Sequence, residues 1–138
     1  MGVDPYLIAP TLILAIAQRL VGKLPEGGGK PIPVEGSIKV MVDRQFSDLP
    51  EQFKKEIPFT DTVFGINPTP DCPKGTRGRM AVFEVMKMDK EIESAILKNP
   101  NELEISRILR QKGMLTMKED AMIKAFQRVI PFEEVNKL

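Results

Sequence analysis

Hydrophobic positions change period along this chain, and the changes mark its elements. From Ser37 to Val42 they alternate: Ile38, Val40 and Val42 fall on one side, Lys39 and Met41 on the other. A two-residue period predicts a strand with one buried face. Thr62 to Ile66 predicts a second strand, ended by Asn67-Pro68 and Pro70. Arg79 to Val85 predicts another, with Met80, Val82 and Glu84 on one face and Ala81, Phe83 and Val85 on the other. Together these make a small antiparallel sheet of two or three strands. Elsewhere the apolar spacing is three to four residues, which predicts helices. Asp48 to Glu56 is a short one, with Asp48 as its cap, Pro50 in the first turn, and Leu49, Phe53 and Ile57 on one face. Asp89 caps Lys90 to Lys98, whose stripe is Ile92, Ile96 and Leu97 and whose end is Asn99-Pro100. Asn101 and Glu104 form a capping box for Glu102 to Lys112, with Leu103, Ile105, Ile108 and Leu109 apolar and Gly113 as a left-handed C-cap. Thr116 and Glu119 form another, opening Met117 to Val129 on Met117, Ala121, Met122, Ala125, Phe126 and Val129. Pro131 stops that helix, and Phe132 to Leu138 reads as a last short helix or turn. The fold class is α+β: a mainly α-helical C-terminal domain with a small antiparallel sheet.

Two blocks of this pattern carry an identity. One is the Gly78-Arg79 pair opening an aliphatic strand that ends in Glu84-Val85, then the helix begun by Asp89, then Gly113-Met114-Leu115-Thr116-Met117-Lys118-Glu119-Asp120 and Glu133-Glu134-Val135. The other is Val3 to Leu24, whose most specific words are Ala17-Gln18-Arg19-Leu20-Val21. Both resemble the region beyond the ATP site in the hexameric ATPases that drive type II secretion and type IV pilus assembly. The likeness is good over residues 3–24 and 72–138 and poor over 25–71. It implies three parts: residues 1–24, a helix continuing from the ATPase core; 25–86, a small β-containing insert in the place of a zinc-binding subdomain; and 87–138, a C-terminal helical subdomain. The implied partners are the rest of the ATPase, neighbouring subunits of a hexamer and, indirectly, an inner-membrane platform protein. The implied location is the cytoplasm, peripheral to the inner membrane through those partners.

The chemistry of such an ATPase is missing. Gly27-Gly28-Gly29-Lys30 only imitates a phosphate-binding loop, which needs Gly-x-x-x-x-Gly-Lys-Ser/Thr so that amides wrap the phosphates and a hydroxyl reaches Mg²⁺. Here Pro31 follows the lysine, with neither a hydroxyl nor an N–H. Pro25 to Pro33 therefore reads as a flexible linker. ATP and Mg²⁺ belong to the suspected parent, and no cofactor is expected in this chain. The resembling family often carries a tetracysteine zinc site. A closed zinc site takes four such ligands, and this chain has Cys72 alone, with Gly75 where its partner would stand. The zinc site is read as lost, and Cys72 as a free thiol in a turn.

Composition sharpens these exclusions. The chain has 138 residues, 42% of them hydrophobic, enough for one domain with its own core. Histidine is absent, which removes imidazole acid–base chemistry and imidazole metal ligands together. Twenty basic against 19 acidic residues leave a net charge of +1, which argues against a nucleic-acid surface built on Arg77, Arg79, Arg107, Arg110 and Lys112. The apolar run Tyr6 to Ala17 is broken by Pro10 and Thr11 and is too short for a bilayer. A soluble, cytosolic domain is expected. Eight methionines read as adaptable core filling before they read as a partner surface. Glu119 and Asp120 suit the first turn of a helix for its dipole alone.

Three arginines remain as candidates. Arg77 and Arg79 flank Gly78 and could reach a phosphate or a neighbouring acidic surface; an intrachain or solvated role fits them equally. In the resembling family basic residues of this domain face other parts of the hexamer, which implies an intersubunit or nucleotide-sensing role for Arg79. Arg19, on an otherwise apolar segment, is expected to pair with an acid from the final helices. The sequence thus supports a non-catalytic C-terminal domain of a secretion or pilus-assembly ATPase that serves intersubunit packing and the transmission of ATP-driven motion. The alternative is a free-standing adaptor of the same fold that binds a partner through its helical face.

Overall fold

The computed structural model describes residues 14–98 and 101–138, and among them it shows four strands and six helices. In chain order these are β1 (Leu14–Gly22), β2 (Lys30–Pro33), α1 (Ser37–Gln45), α2 (Glu51–Lys54), β3 (Thr62–Gly65), β4 (Arg79–Lys87), α3 (Lys90–Lys98), α4 (Glu102–Gln111), α5 (Met117–Phe126) and α6 (Phe132–Val135). The class is α+β. The strands form two separate antiparallel ribbons, β1 with β4 and β2 with β3.

Four expectations need correction. The helix over Val3 to Leu24 is, in its described part, strand β1; residues 3–13 lie outside the described residues. Ala, Leu, Gln and Arg favour helix locally, but that preference is small and tertiary pairing overrides it. Nine residues of β1 pair in register with β4, from Leu14 opposite Lys87 to Gly22 opposite Arg79. Ser37 to Val42 is not a strand but the start of α1. Its apolar positions also fit a helical face: Ile38, Met41 and Val42 pack on the core while Val40 points to solvent. The linker over Pro25 to Pro33 is half structured, because Lys30–Pro33 is β2. Val34 donates to the Asp61 carbonyl at 2.8 Å, a phase that puts the missing donors of Pro31 and Pro33 on the edge facing away from β3. The single sheet of two or three strands is therefore two ribbons.

Helix ends follow the expected chemistry more closely. Asp89 accepts from the Ile92 amide at 2.9 Å. Asn101 accepts from the amides of Leu103 and Glu104, but Glu104 turns to Arg107 and leaves the capping box open. The box of Thr116 and Glu119 is closed in both directions. Asp48 does not cap α2, whose N-cap is Pro50 without a side-chain bond. Leu103, expected on a buried stripe, is 82% exposed. Helix α5 stops at Phe126, three residues early, where the chain turns through Arg128 in the left-handed region at φ 61°.

The main core joins both ribbons to α1, α5 and α6 through Val21, Val42, Phe46, Val63, Val82, Met122, Ile130 and Val135. Phe59 bridges Phe46 and Phe126 edge-on, with centroids 5.3 and 5.7 Å apart. A second, smaller core lies between α3 and α4 on Ile92, Ile96 and Leu109. The methionines do fill cores: Met80, Met117 and Met122 in the first, Met86, Met88 and Met114 at the second.

Gly113 joins the two cores. Its φ of +87° is left-handed, and a Cβ there would meet the Phe53 ring at 2.6 Å. Gly113→Ala combines a forbidden dihedral with a clash, and is expected to lower the unfolding free energy by about 2 kcal/mol in urea titration. An unchanged midpoint would contradict this geometry.

Candidate functional site

The three arginines singled out from sequence do not converge. Register places Arg19 opposite Val82 and Arg79 opposite Gly22. Alternation along the ribbon then puts Arg19 on the face that carries Val21 and Val82, and Arg79 on the other. Arg19 Nη1 reaches the Lys137 carbonyl at 3.4 Å rather than an acid of the final helices, which corrects its expected partner among the described residues. Arg77 donates from Nη2 to the Asp71 carbonyl at 2.8 Å, while its amide donates to the Lys23 carbonyl at 2.7 Å. Gly78, between Arg77 and Arg79, has φ 78° and open space around it, so the turn needs its conformational freedom and not its small size.

Three of the cations offered for nucleic acid, Arg107, Arg110 and Lys112, pair with acids of this chain. Arg107 pairs with Glu104 at 2.6 Å, and Lys112 lies 2.8 Å from both Asp89 and Glu91. Arg110 is the centre of a buried cluster that the sequence did not announce. Its Nη1 and Nη2 donate to the two oxygens of Glu119 at 2.6 Å each. Nε donates to Asp48 at 2.9 Å, Nη2 also to the Gln45 carbonyl at 3.1 Å, and Nη1 to the Met114 carbonyl at 3.0 Å. All five N–H donors of the guanidinium are thereby used. Glu119 is 1% exposed, and it also accepts from the Gln45 side chain at 3.0 Å and the Thr116 amide at 2.8 Å. Burial opposes the charge on Arg110, but hydrogen bonding and charge from Glu119, then Asp48, outweigh it and raise its pKa. A groove of about 600 Å³ lies over this pair, lined by Arg44, Ser47, Ser106 and Lys118. Its buried charges satisfy each other and leave no donor aimed into it. The cluster ties α1, α4 and α5 together.

Other clips bind the same C-terminal segment to the ribbons. Asp120 accepts from the Phe83 amide at 2.8 Å and from Lys124 at 2.6 Å. Both oxygens of Glu133 accept from the Ile66 amide, at 3.2 and 3.1 Å, closing the end of β3. Arg128 donates to the carbonyls of Gly27 and Gly28 at 2.7 and 3.0 Å and lies 4.1 Å over the Phe64 ring. These contacts offset the strain of its positive φ. Cys72 is buried in a turn, where its amide donates to Thr69 and its thiol to the Thr76 carbonyl at 3.3 Å. It is the one cysteine of a sequence that has no histidine.

These contacts brace the domain, and comparison with known proteins gives its family. The family model described as "Type II/IV secretion system protein" matches residues 1–137. The chain belongs to that family. It is 32% identical over 135 residues to the type IV pilus assembly ATPase PilB of Thermus thermophilus, covering 98% of this chain and 14% of that protein. To the PilB of Acinetobacter baylyi it is 30% identical, over 100% of this chain and 23% of the relative. To the type II secretion system protein E of Xanthomonas campestris it is 28% identical, over 98% and 22%. The chain thus spans less than a quarter of the length of these relatives.

Arg110→Met should lower stability by about 3 kcal/mol, because it strands a buried carboxylate. Glu119→Leu should cost a similar amount, and the double variant less than the sum of both; additive losses in urea titration would show the pair to be uncoupled. Asp89 is held below its ordinary value of 3.8 by Lys112 and then by the Ile92 amide. A lowered folded-state pKa stabilises above the unfolded value, and the effect disappears as pH falls through the folded one. Carboxyl NMR titration should place the Asp89 midpoint below 3.8, moving back toward it in Lys112→Ala.

Proposed function

We propose that this chain is the non-catalytic C-terminal part of a secretion or pilus-assembly ATPase. Its work is mechanical: it packs between subunits of a hexamer and passes ATP-driven motion toward an inner-membrane platform protein. The observation that carries this reading is a family match over residues 1–137 in a sequence with no loop able to hold a triphosphate. Residues 1–24 continue from the nucleotide-hydrolysing portion, 25–86 form the insert, and 87–138 the helical subdomain. ATP and Mg²⁺ act elsewhere in the assembly, and Cys72 holds no zinc. The intersubunit contacts fall to exposed cations, of which Arg79 is the first candidate and Arg77 the second.

The domain suits such work because its parts are clamped by charge-assisted hydrogen bonds that fix orientation. Among the described residues no helix is long and apolar enough to cross a membrane. The proposed location is the cytoplasm, at the inner membrane through partners.

The test is a graft of this chain in place of the matched stretch of the Thermus thermophilus ATPase. The graft should hydrolyse ATP within about tenfold of the parent, a barrier change of roughly 1.4 kcal/mol, whereas deletion of the stretch should abolish hydrolysis. The isolated chain should release no phosphate above background. Turnover by the chain alone, or a graft as inactive as the deletion, would overturn the proposal.

A further inference from the structure

The domain has two cores, and the chain passes between them at two narrow points. No residue between Val82 and Leu115 belongs to the main core among the described residues. Those of α3 and α4 pack instead on Ile92, Ile96 and Leu109, with Met86, Met88 and Met114 beside them. Met114 and Leu115 are neighbours in sequence yet sit in different cores. Helices α3 and α4 therefore form an arm with its own apolar interior. It joins the body at Met88 on one side and at Met114 on the other.

Little holds this arm to the body. Phe53 rests against Gly113, where a Cβ would not fit. Among the described residues, every side-chain hydrogen bond or ion pair from α3 or α4 to the body comes from Arg110. Arg107 pairs within α4, and Lys112, just past it, with Asp89 and Glu91 at the foot of α3. A packed interface leaves few voids larger than a water molecule. This junction is open on two sides of α4: a groove of about 360 Å³ follows Val85, Met88, Leu109 and Met114, and the one of about 600 Å³ lies over Arg110. Met88, Asp89, Gly113 and Met114 all line the first groove, so the two connections lie together, as the leaves of a hinge do.

We propose that the α3–α4 hairpin is a hinged arm, latched to the domain by Arg110, that turns about Met88 and Met114 without unfolding. The latch is poised rather than fixed. A buried ion pair recovers in attraction roughly what it loses in desolvation, so returning Arg110 and Glu119 to water changes little. The remaining restraint is the apolar contact at the hinge itself. Leu103, at the far end of α4, is 82% exposed and belongs to neither core. The ten residues of α4 span about 15 Å, so a turn of roughly 20° moves its tip by about 5 Å. The domain thereby has a moving part of its own, present in the isolated chain.

Spin labels on Val40→Cys in α1 and Glu102→Cys in α4, in a Cys72→Ser background, read the angle of the arm by pulsed electron resonance. Both sites are exposed. The parent should show one interlabel distance. Arg110→Met strands Glu119, and only an open arm brings water back to it, so the share of molecules at a second distance should rise about tenfold. Carbon chemical shifts of α3 and α4 should stay helical throughout. Should Arg110→Met fail to fold, Arg110→Lys keeps a charge for Glu119 but cannot fork to Asp48 and the Gln45 carbonyl as well, and should show the same second distance. One distance in every variant overturns the hinge. Loss of the helical shifts overturns it too, because the arm then melts where it was to turn. A second distance that already dominates the parent shows that Arg110 latches nothing, and overturns the proposal equally.

Discussion

The buried pair of Arg110 and Glu119 is the constraint on which the rest of the domain turns. A carboxylate 1% exposed is tolerable only if every oxygen is hydrogen-bonded, and Glu119 meets that condition through Arg110, Gln45 and the Thr116 amide. The pair joins three helices that come from separate parts of the chain. It is a matter of geometry more than of net energy, because a buried ion pair recovers in attraction roughly what it loses in desolvation. What it supplies is a single docking angle for α4. The small core of Ile92, Ile96 and Leu109 is too slight to set that angle alone.

Around this hub the C-terminal segment works as a bracket. Asp120 closes one edge of β4, Glu133 the end of β3, and Arg128 the Gly27–Gly28 turn. Each is a charge-assisted bond to backbone, and such bonds fix position as well as adding stability. In a chain with one cysteine and no histidine, order between residues 25 and 71 falls to these contacts and to the main core. The bracket also makes the ribbon one-sided. Its β4 edge is capped by Asp120, and its β1 edge meets no second strand among the described residues.

Local chemistry was legible where a side chain serves its own turn of helix. Asp89, Gly113 and the Thr116–Glu119 box do what their spacing implies, and Asn101 caps its helix without closing a box. The stripes of α5 and the strands Thr62–Gly65 and Arg79–Lys87 were legible for the same reason. Misreadings came where two periods fit a short run. Ile38, Val40 and Val42 alternate, yet Ile38, Met41 and Val42 also make a helical face, and the core selected the second. Residues 14–22 favour helix by composition and became strand because β4 offered a matching ladder.

By itself the sequence determined the class of fold, the caps at Asp89, Asn101 and Thr116, the membership suggested by its Gly-Arg strand and Glu-Glu-Val ending, and the lack of a triphosphate loop. These rest on residues within a turn or two of one another. Tertiary structure alone decided the role of Arg110, whose partners at Gln45 and Asp48 lie more than 60 residues away. It alone decided the partners of Arg128, about 100 residues distant, and which edge of the ribbon Asp120 closes. The physical reason is the same in each case: a long charged side chain carries no mark of which distant backbone it will meet. The fold chooses its partner by bringing an unsatisfied carbonyl or carboxylate within reach.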